Sequence, residues 1–455
     1  MRKRHKKGRS ALKKTKTGAY VKAYAPFILV AVIGLVYHLL MKPMGGDDVF
    51  FYEATKRTTL GAYLSHRYVH WTSRVVSEFV LVNVIQCPIL WRIIDFLMFA
   101  TLPVLISRIL GGGRLANWAA AAAVLLFPFH DMGTAGWVTT TVTHFWPFWG
   151  IFYIVMLLKK MAAEERIHTA EAVFGVLVAV VTGSHEQYAV IMAVLLVLYG
   201  VYLWLQKRKP GNLPVLVPLM LVNVISLAVI VLCPGNAERN KVSIADLPIY
   251  GEFGFGEKLY LGLLSIERVF IANADIVFFI VISVWTVLVC GKTKDFKKTL
   301  ISALPLFILF GQTVLRTAYP GLSGLFVMPG QILEWSWSDL STWIPIVYLA
   351  VTVASMIYAL YQLFGENLYE YICLLILLGC GFGAGMILGF MATIYVSGER
   401  VYAPLYGILM MVTLLAVNRQ KETVSEELKT AGGKLAVSGV ALCCLVNMLF
   451  ITLSV

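Results

Sequence analysis

Charge is scarce in this sequence: Asp, Glu, Lys and Arg make up 14% of 455 residues, against 59% hydrophobic ones. A soluble domain could not hide that much apolar surface from water, so the scarcity excludes an ordinary soluble protein and makes lipid the simplest solvent. Cysteine is sparse too. The seven residues at 87, 233, 290, 373, 380, 443 and 444 show no CxxC spacing, which leaves inert packing thiols as the default. Only Cys87 and Cys233 are placed for an extracytoplasmic disulfide. There is no HExxH pair, no Cys/His zinc spacing and no GxSxG nucleophile elbow, so zinc-peptidase and serine-hydrolase chemistry has no motif to rest on. No solenoid repeat or inverted duplication of hydropathy is found, which removes one common signature of secondary transporters.

What charge there is has a direction. The formal net charge is +13, and ten of the 38 Lys and Arg lie in the first 22 residues. The tail MRKRHKKGRSALKKTKTG leads straight into the apolar run 25–40, so orientation and anionic-lipid contact explain it better than a nucleic-acid arm. The run is followed by MKPMGGDD rather than by a small-residue cleavage site, and it reads as a retained first span.

Apolar runs near 24–42, 89–110, 115–130, 145–158, 168–182, 187–205, 214–232, 274–290, 299–315, 342–363, 370–391, 402–418 and 435–453 predict an all-α polytopic membrane protein of about 13 spans. With the basic tail (1–23) cytoplasmic, the positive stretches at Arg108 and Arg114, Lys159 and Lys160, 207–209, 292–298 and 419–434 all fall on the cytoplasmic side. Residues 24–455 then form one transmembrane domain, with a first extracytoplasmic loop at 43–88, a second large segment at 233–273 and no separate soluble C-terminal domain. The mixed patterns of 49–84 and 255–271 predict helices lying in the membrane interface. The glycines of GCGFGAGMILG lie inside an apolar run with no preceding strand, so Gly381-xxx-Gly385-xxx-Gly389 reads as close helix packing rather than a dinucleotide loop.

Six polar clusters share the extracytoplasmic side under this topology. The first is Gly45-Gly46-Asp47-Asp48, a solvated loop or helix cap in its blandest reading. The second is HRYVHWTSR at 66–74 followed by Glu78; as one helix it would align Arg67, His70, Trp71, Arg74 and Glu78, suited to a phosphate and a sugar ring or to an interfacial belt. The third, from His130 and Asp131 through Trp137 and Thr139 to His144, predicts a re-entrant segment lining a cavity. The fourth is Ser184-His185-Glu186-Gln187, wedged between spans, where ionisable groups are functional candidates or a self-satisfying pair. The fifth and sixth, Cys233 to Asn240 and Ser397 to Arg400, each place an arginine, Arg239 and Arg400, where it could clamp an anion or serve as a loop charge. Ionisable residues in the middle of spans are by contrast nearly absent, which points to a pocket at the outer boundary rather than to ion-coupled transport.

No nucleotide sugar is available on that side, so group transfer there needs a donor carried in the membrane, such as a sugar on a polyprenyl phosphate. Cations would stabilise the phosphate leaving group, and one carboxylate would suffice as base for an inverting displacement, where hydrolysis normally uses two. The segments GDDVFF, RYVHWTSRVVSE, AGWVTTTVTHFWP, SHEQYA and CPGNAER resemble the bacterial GT-C-type membrane glycosyltransferases, especially a group allied to GtrII-like glucosyltransferases. The resemblance covers mainly residues 24–240.

That resemblance implies a GT-C-like bundle, a catalytic carboxylate in the first extracytoplasmic loop and a polyprenyl-phosphate sugar as donor. Carried over, it makes Asp47 or Asp48 the base. Arg67, Arg74, Arg239 and Arg400 become candidates for the donor phosphate, and His70, Trp71, Glu78, Trp137, His144, His185, Glu186 and Gln187 line the pocket. The expected acceptor is a cell-envelope polysaccharide or teichoic acid at a bacterial cell membrane, with a flippase and a lipid-phosphate sugar synthase as partners and no nucleic acid. No cofactor or metal is expected, although Asp47 and Asp48 could hold a divalent cation. A transporter or flippase of lipid-linked glycans is the main alternative, and a non-catalytic membrane subunit the third.

Overall fold

In the computed structural model, residues 23–209, 211–325 and 336–454 are described; the basic tail through residue 22 and part of the 316–341 segment lie outside them. The described chain is helical throughout, with no strand. Eleven of its helices are long and apolar enough to cross a membrane, from Ala23–Leu40 to Ala431–Leu453, which defines a multi-pass membrane protein. Two shorter apolar helices, Arg114–Leu126 and Thr169–Gly183, stand where the apolar runs 115–130 and 168–182 predict spans.

Local chemistry sets the helix ends. Pro88 opens Pro88–Leu110 at a position where its missing N–H costs nothing, and Gly111 closes that helix at φ 92°. Asp275, Asp295, Asp339 and Asn367 cap four later helices through their side chains. In the N-terminal half, Pro88–Leu110 packs on Arg114–Leu126 and Trp146–Ala162, and Thr169–Gly183 packs on Trp146–Ala162 and Leu213–Val231. In the C-terminal half, Ile276–Thr293 packs on Phe296–Phe310, Leu340–Phe364 and Ala403–Arg419. Ala403–Arg419 also meets Arg114–Leu126 and Pro88–Leu110, and so ties the halves together.

Three expectations are corrected here. The chain does not run as one helix through 66–78: Leu60–His70 stops, Trp71 to Arg74 turn, and Val75–Val84 starts a second helix. The stretch 130–144 is no long irregular re-entrant loop. A short 3-10 turn, Phe129–Gly133, leads into a helix that begins at Trp137 and widens into a π turn at Thr141–Phe145.

Phe255–Glu267 packs against Leu340–Phe364 and Leu368–Met386. The glycine row is what lets it sink in: a methyl group at Gly262 would collide with the Met386 carbonyl, and one at Gly389 with the Lys258 carbonyl. Finally, Cys87 and Cys233 are both free thiols.

Candidate functional site at one end of the bundle

The six polar clusters meet. Gly46, at φ 54°, and Gly136, at φ 105°, cross so closely that a methyl on either would strike the other strand of chain. The Asp47 amide donates to the Ala135 carbonyl at 2.9 Å, which brings the first cluster onto the third. Asp48 turns inward, fully buried, and caps the helix that starts at Trp137. Its Oδ1 accepts from the Thr139 amide at 2.8 Å and the Thr139 hydroxyl at 2.7 Å, and its Oδ2 from the amides of Met44 at 3.2 Å and Val138 at 3.3 Å. Burial pushes this carboxyl above its ordinary range, and those four donors pull it back. Asp47 is exposed, and among the described residues its carboxylate makes no hydrogen bond or ion pair. The two adjacent carboxylates therefore point apart and do not form one cation site.

The break after His70 separates two arginines that a single helix would have aligned. Arg67 is clamped by Glu78, its Nε donating to both carboxylate oxygens at 3.0 and 2.8 Å and its Nη2 to Oε1 at 2.6 Å, while the Tyr63 hydroxyl adds a bond at 2.9 Å. The rings of Phe50, Phe51 and Trp71 surround the guanidinium within 5.8 Å. Arg67, Trp71 and Glu78 thus form a structural clamp, and Arg67 is removed from the phosphate candidates. His70 is exposed and faces His66, ring to ring at 4.7 Å. Trp137 is buried beside Phe129 and under Gly133, packed rather than offered to a ligand.

Arg74 bridges to the fourth cluster: its Nε donates to Glu186 at 2.7 Å, and the Ser73 hydroxyl donates to the other oxygen of the same carboxylate at 3.0 Å. Ser77 and Ser184 hydroxyls meet at 3.1 Å, and the Ser73 amide donates to Asn236 of the fifth cluster at 3.3 Å. Arg239 stands within electrostatic reach of Arg74 and Glu186, its Nε buried without a hydrogen-bond partner among the described residues; burial and the Arg74 charge push its pKa down. Arg400 donates to the Thr134 hydroxyl at 2.8 Å, across 266 residues, and lies within electrostatic reach of Asp47, Arg74 and Asp131.

Beneath these arginines sit His144 and His185, edge to face at 4.9 Å and both buried. Among the described residues, His144 Nδ1, both nitrogens of His185, the Tyr188 hydroxyl and Gln187 Oε1 have no hydrogen-bond partner. Burial, with Arg74 and Arg239 nearby, holds the His185 imidazole well below the usual histidine range, so it is neutral at neutral pH. Gln187 fastens the C-terminal half, donating to the carbonyls of Ala384 at 3.0 Å and Val401 at 3.1 Å. Native interiors leave few buried polar groups unpaired, and this concentration under three guanidinium groups is what an anion site requires.

Asp131 of the third cluster and Glu399 of the sixth join Asp275, which sequence reading missed, in a second tier. Asp131, Asp275 and Glu399 approach one another from three segments. Burial and the two neighbouring carboxylates push Asp131 up to about 8, against the pull of Arg400, and burial pushes Asp275 up to about 6. His38 and Asp95, 2.8 Å apart inside the bundle, were also missed, and Trp146 Nε1 completes that buried set with a 2.6 Å bond to Asp95. Asp275, His38 and Asp95 each stand alone in an apolar context, and only tertiary proximity reveals their partners. Among the described residues, no three His, Cys, Asp or Glu side chains are grouped to hold a metal ion.

Comparison with known proteins finds no matching family model, no matching curated protein and no matching solved structure.

Proposed function

We propose that this chain is a membrane glycosyltransferase that moves a sugar from a polyprenyl-phosphate donor to an extracytoplasmic cell-envelope glycan. One observation carries the reading: Arg74, Arg239 and Arg400 converge over the buried His144–His185 pair, while the exposed Asp47 lies within electrostatic reach of Arg400. Arginine excess suits a leaving phosphate, whose negative charge grows as the bond to the sugar breaks. Glu186 holds the Arg74 fork in place and leaves its outer nitrogens for the ligand.

In the displacement, the acceptor hydroxyl oxygen bonds to the anomeric carbon as the carbon–oxygen bond to phosphate breaks. The electron pair leaves with the polyprenyl phosphate, the hydroxyl proton passes to Asp47, and the anomeric configuration inverts. Asp48 is unsuited to that task because its oxygens are already committed to four donors. Its part is to hold the turn that presents Asp47.

The test is transfer of labelled sugar from polyprenyl phosphate to envelope glycan in membranes carrying wild type, Asp47→Asn or Arg239→Gln at matched expression. Loss of transfer in Asp47→Asn with undecaprenyl-phosphate binding retained, and loss of that binding in Arg239→Gln, is expected. Full transfer by Asp47→Asn would remove Asp47 as the base, and wild-type transfer no higher than in membranes lacking the chain would sink the enzyme reading and favour a flippase of lipid-linked glycans built on the same arginines.

A further inference from the structure

A second buried polar group lies in the C-terminal half, beyond Glu399. Glu267 ends the helix Phe255–Glu267, is fully buried, and has neither carboxylate oxygen paired among the described residues. Gln312, also fully buried, has neither amide atom paired. Both residues flank or occupy π turns, Arg268–Ala272 and Gly311–Leu315, and those turns pack on each other. Such widened turns commonly mark functional sites. Arg316, one turn beyond Gln312, donates to the Ala272 carbonyl at 3.5 Å and pulls electrostatically on Glu267. Arg268, half-exposed, lies 5.2 Å from the Tyr395 ring, and its Nε and the Tyr395 hydroxyl are again unpaired.

Six orphaned polar atoms on four side chains are too many for packing alone. Their chemistry selects the ligand. With Glu267 protonated, Glu399 opposes Arg268 and only Arg316 is left over, so the group carries too little charge to select a phosphate or a cation. A carboxyl, a primary amide, a guanidinium and a phenol together offer donors and acceptors in mixed directions beside an aromatic face, which matches the alternating hydroxyls and apolar face of a sugar.

The position fits as well. Arg268 reaches Glu399 electrostatically, Glu399 reaches Asp131, and Arg400 reaches both Asp131 and Asp47. Electrostatic coupling therefore links the arginine cluster and Asp47, through Asp131 and Glu399, to Arg268 beside Glu267.

We infer that Glu267, Arg268, Gln312 and Tyr395 form the acceptor subsite, binding a neutral sugar of the envelope glycan; this rests on the glycosyltransferase reading above. Burial pushes the Glu267 carboxyl up to about 8. It is therefore an uncharged acid at neutral pH, able both to donate to and to accept from a sugar hydroxyl.

The experiment uses the full chain purified in detergent, with two probes: oligosaccharides released by mild acid from the envelope of cells that express it natively, and undecaprenyl phosphate. Wild type is expected to bind at least one oligosaccharide. Glu267→Leu and Gln312→Leu should each weaken that binding at least tenfold, leave undecaprenyl-phosphate affinity within twofold, and leave the melting temperature unchanged or raised, since each removes unpaired buried polar atoms. Arg239→Gln should do the reverse to the two ligands. No oligosaccharide bound by wild type, or binding within twofold of wild type in both leucine variants, overturns the inference. Failure of the enzyme reading shows separately, as wild-type transfer no higher than in membranes lacking the chain alongside oligosaccharide binding that still depends on Glu267.

Discussion

Asp47 and Asp48 are neighbours in sequence with opposite environments, and that contrast separates activity from stability. Replacing Asp48 by Asn keeps one acceptor oxygen, turns the other into an NH2 facing N–H donors, and removes the charge that the Thr139, Val138 and Met44 donors address, a loss of about 1–2 kcal/mol for a capping carboxylate. Asp48→Asn is therefore expected to lower the melting temperature, whereas Asp47→Asn leaves it unchanged and removes transfer; differential scanning fluorimetry in detergent separates the two. The buried acids make a second prediction. Folded pKa values of about 8 for Asp131 and Glu267 stand above ordinary values of 3.8 and 4.5. From roughly pH 4.5 to 8 these two groups hold more protons folded than unfolded, while the neutral His185 works the other way below about 6.5, so stability falls most clearly as pH rises from about 6.5 to 8. Melting followed from pH 5 to 8.5 should show the fall, and Glu267→Gln, still facing Arg316, Tyr260 and Tyr348, should flatten it. The acidic pair itself was readable in the sequence because it follows the first span; which member points inward was not, since that depends on where the helix from Trp137 begins.

Helix ends and crossings decide the next scale. The turn at 71–74 folds Val75–Val84 back so that Glu78 meets Arg67 rather than following it along one face. Both side chains are nearly excluded from solvent, at 12% and 5% exposure. Arg67→Ala would leave a buried carboxylate uncompensated and is expected to cost about 3–5 kcal/mol. The double variant Arg67→Leu with Glu78→Leu should recover most of that loss, which thermal melting of the set would show. The glycine row makes a parallel case: Gly262→Ala and Gly389→Ala must push Phe255–Glu267 off its neighbour, at about 1–3 kcal/mol each for an overpacked crossing. Apolar runs revealed nearly every spanning helix because length and hydropathy suffice for that. The break at 71–74 and the burial of Phe255–Glu267 were hidden, since the first has no Gly or Pro to mark it and the second carries the mixed composition of an interfacial helix.

At the scale of the whole molecule, alternation of spans from a cytoplasmic start put six clusters on one side, and the fold joins them into a single polar surface through contacts such as Arg400 to Thr134 and Arg74 to Glu186. That contiguity depends only on which helix ends share a side, which hydropathy encodes. The second tier around Asp131, Asp275 and Glu267 depends on which helices touch, which hydropathy does not. Lipid-linked donors and envelope acceptors require the joined surface to face outward, and the basic stretches after alternate spans argue that it does. Two positions at opposite ends of the bundle test this. Cys87 is exposed beside the first polar loop, and Lys421 is exposed on the short helix Lys421–Glu427 before the last span. With the remaining cysteines replaced, a membrane-impermeant maleimide applied to intact cells should label Cys87, whereas Lys421→Cys in a chain lacking Cys87 should react only after permeabilisation. The reverse pattern would place the arginine cluster and Asp47 in the cytoplasm, where nucleotide sugars are available, and the argument for a polyprenyl-phosphate donor would fall with it.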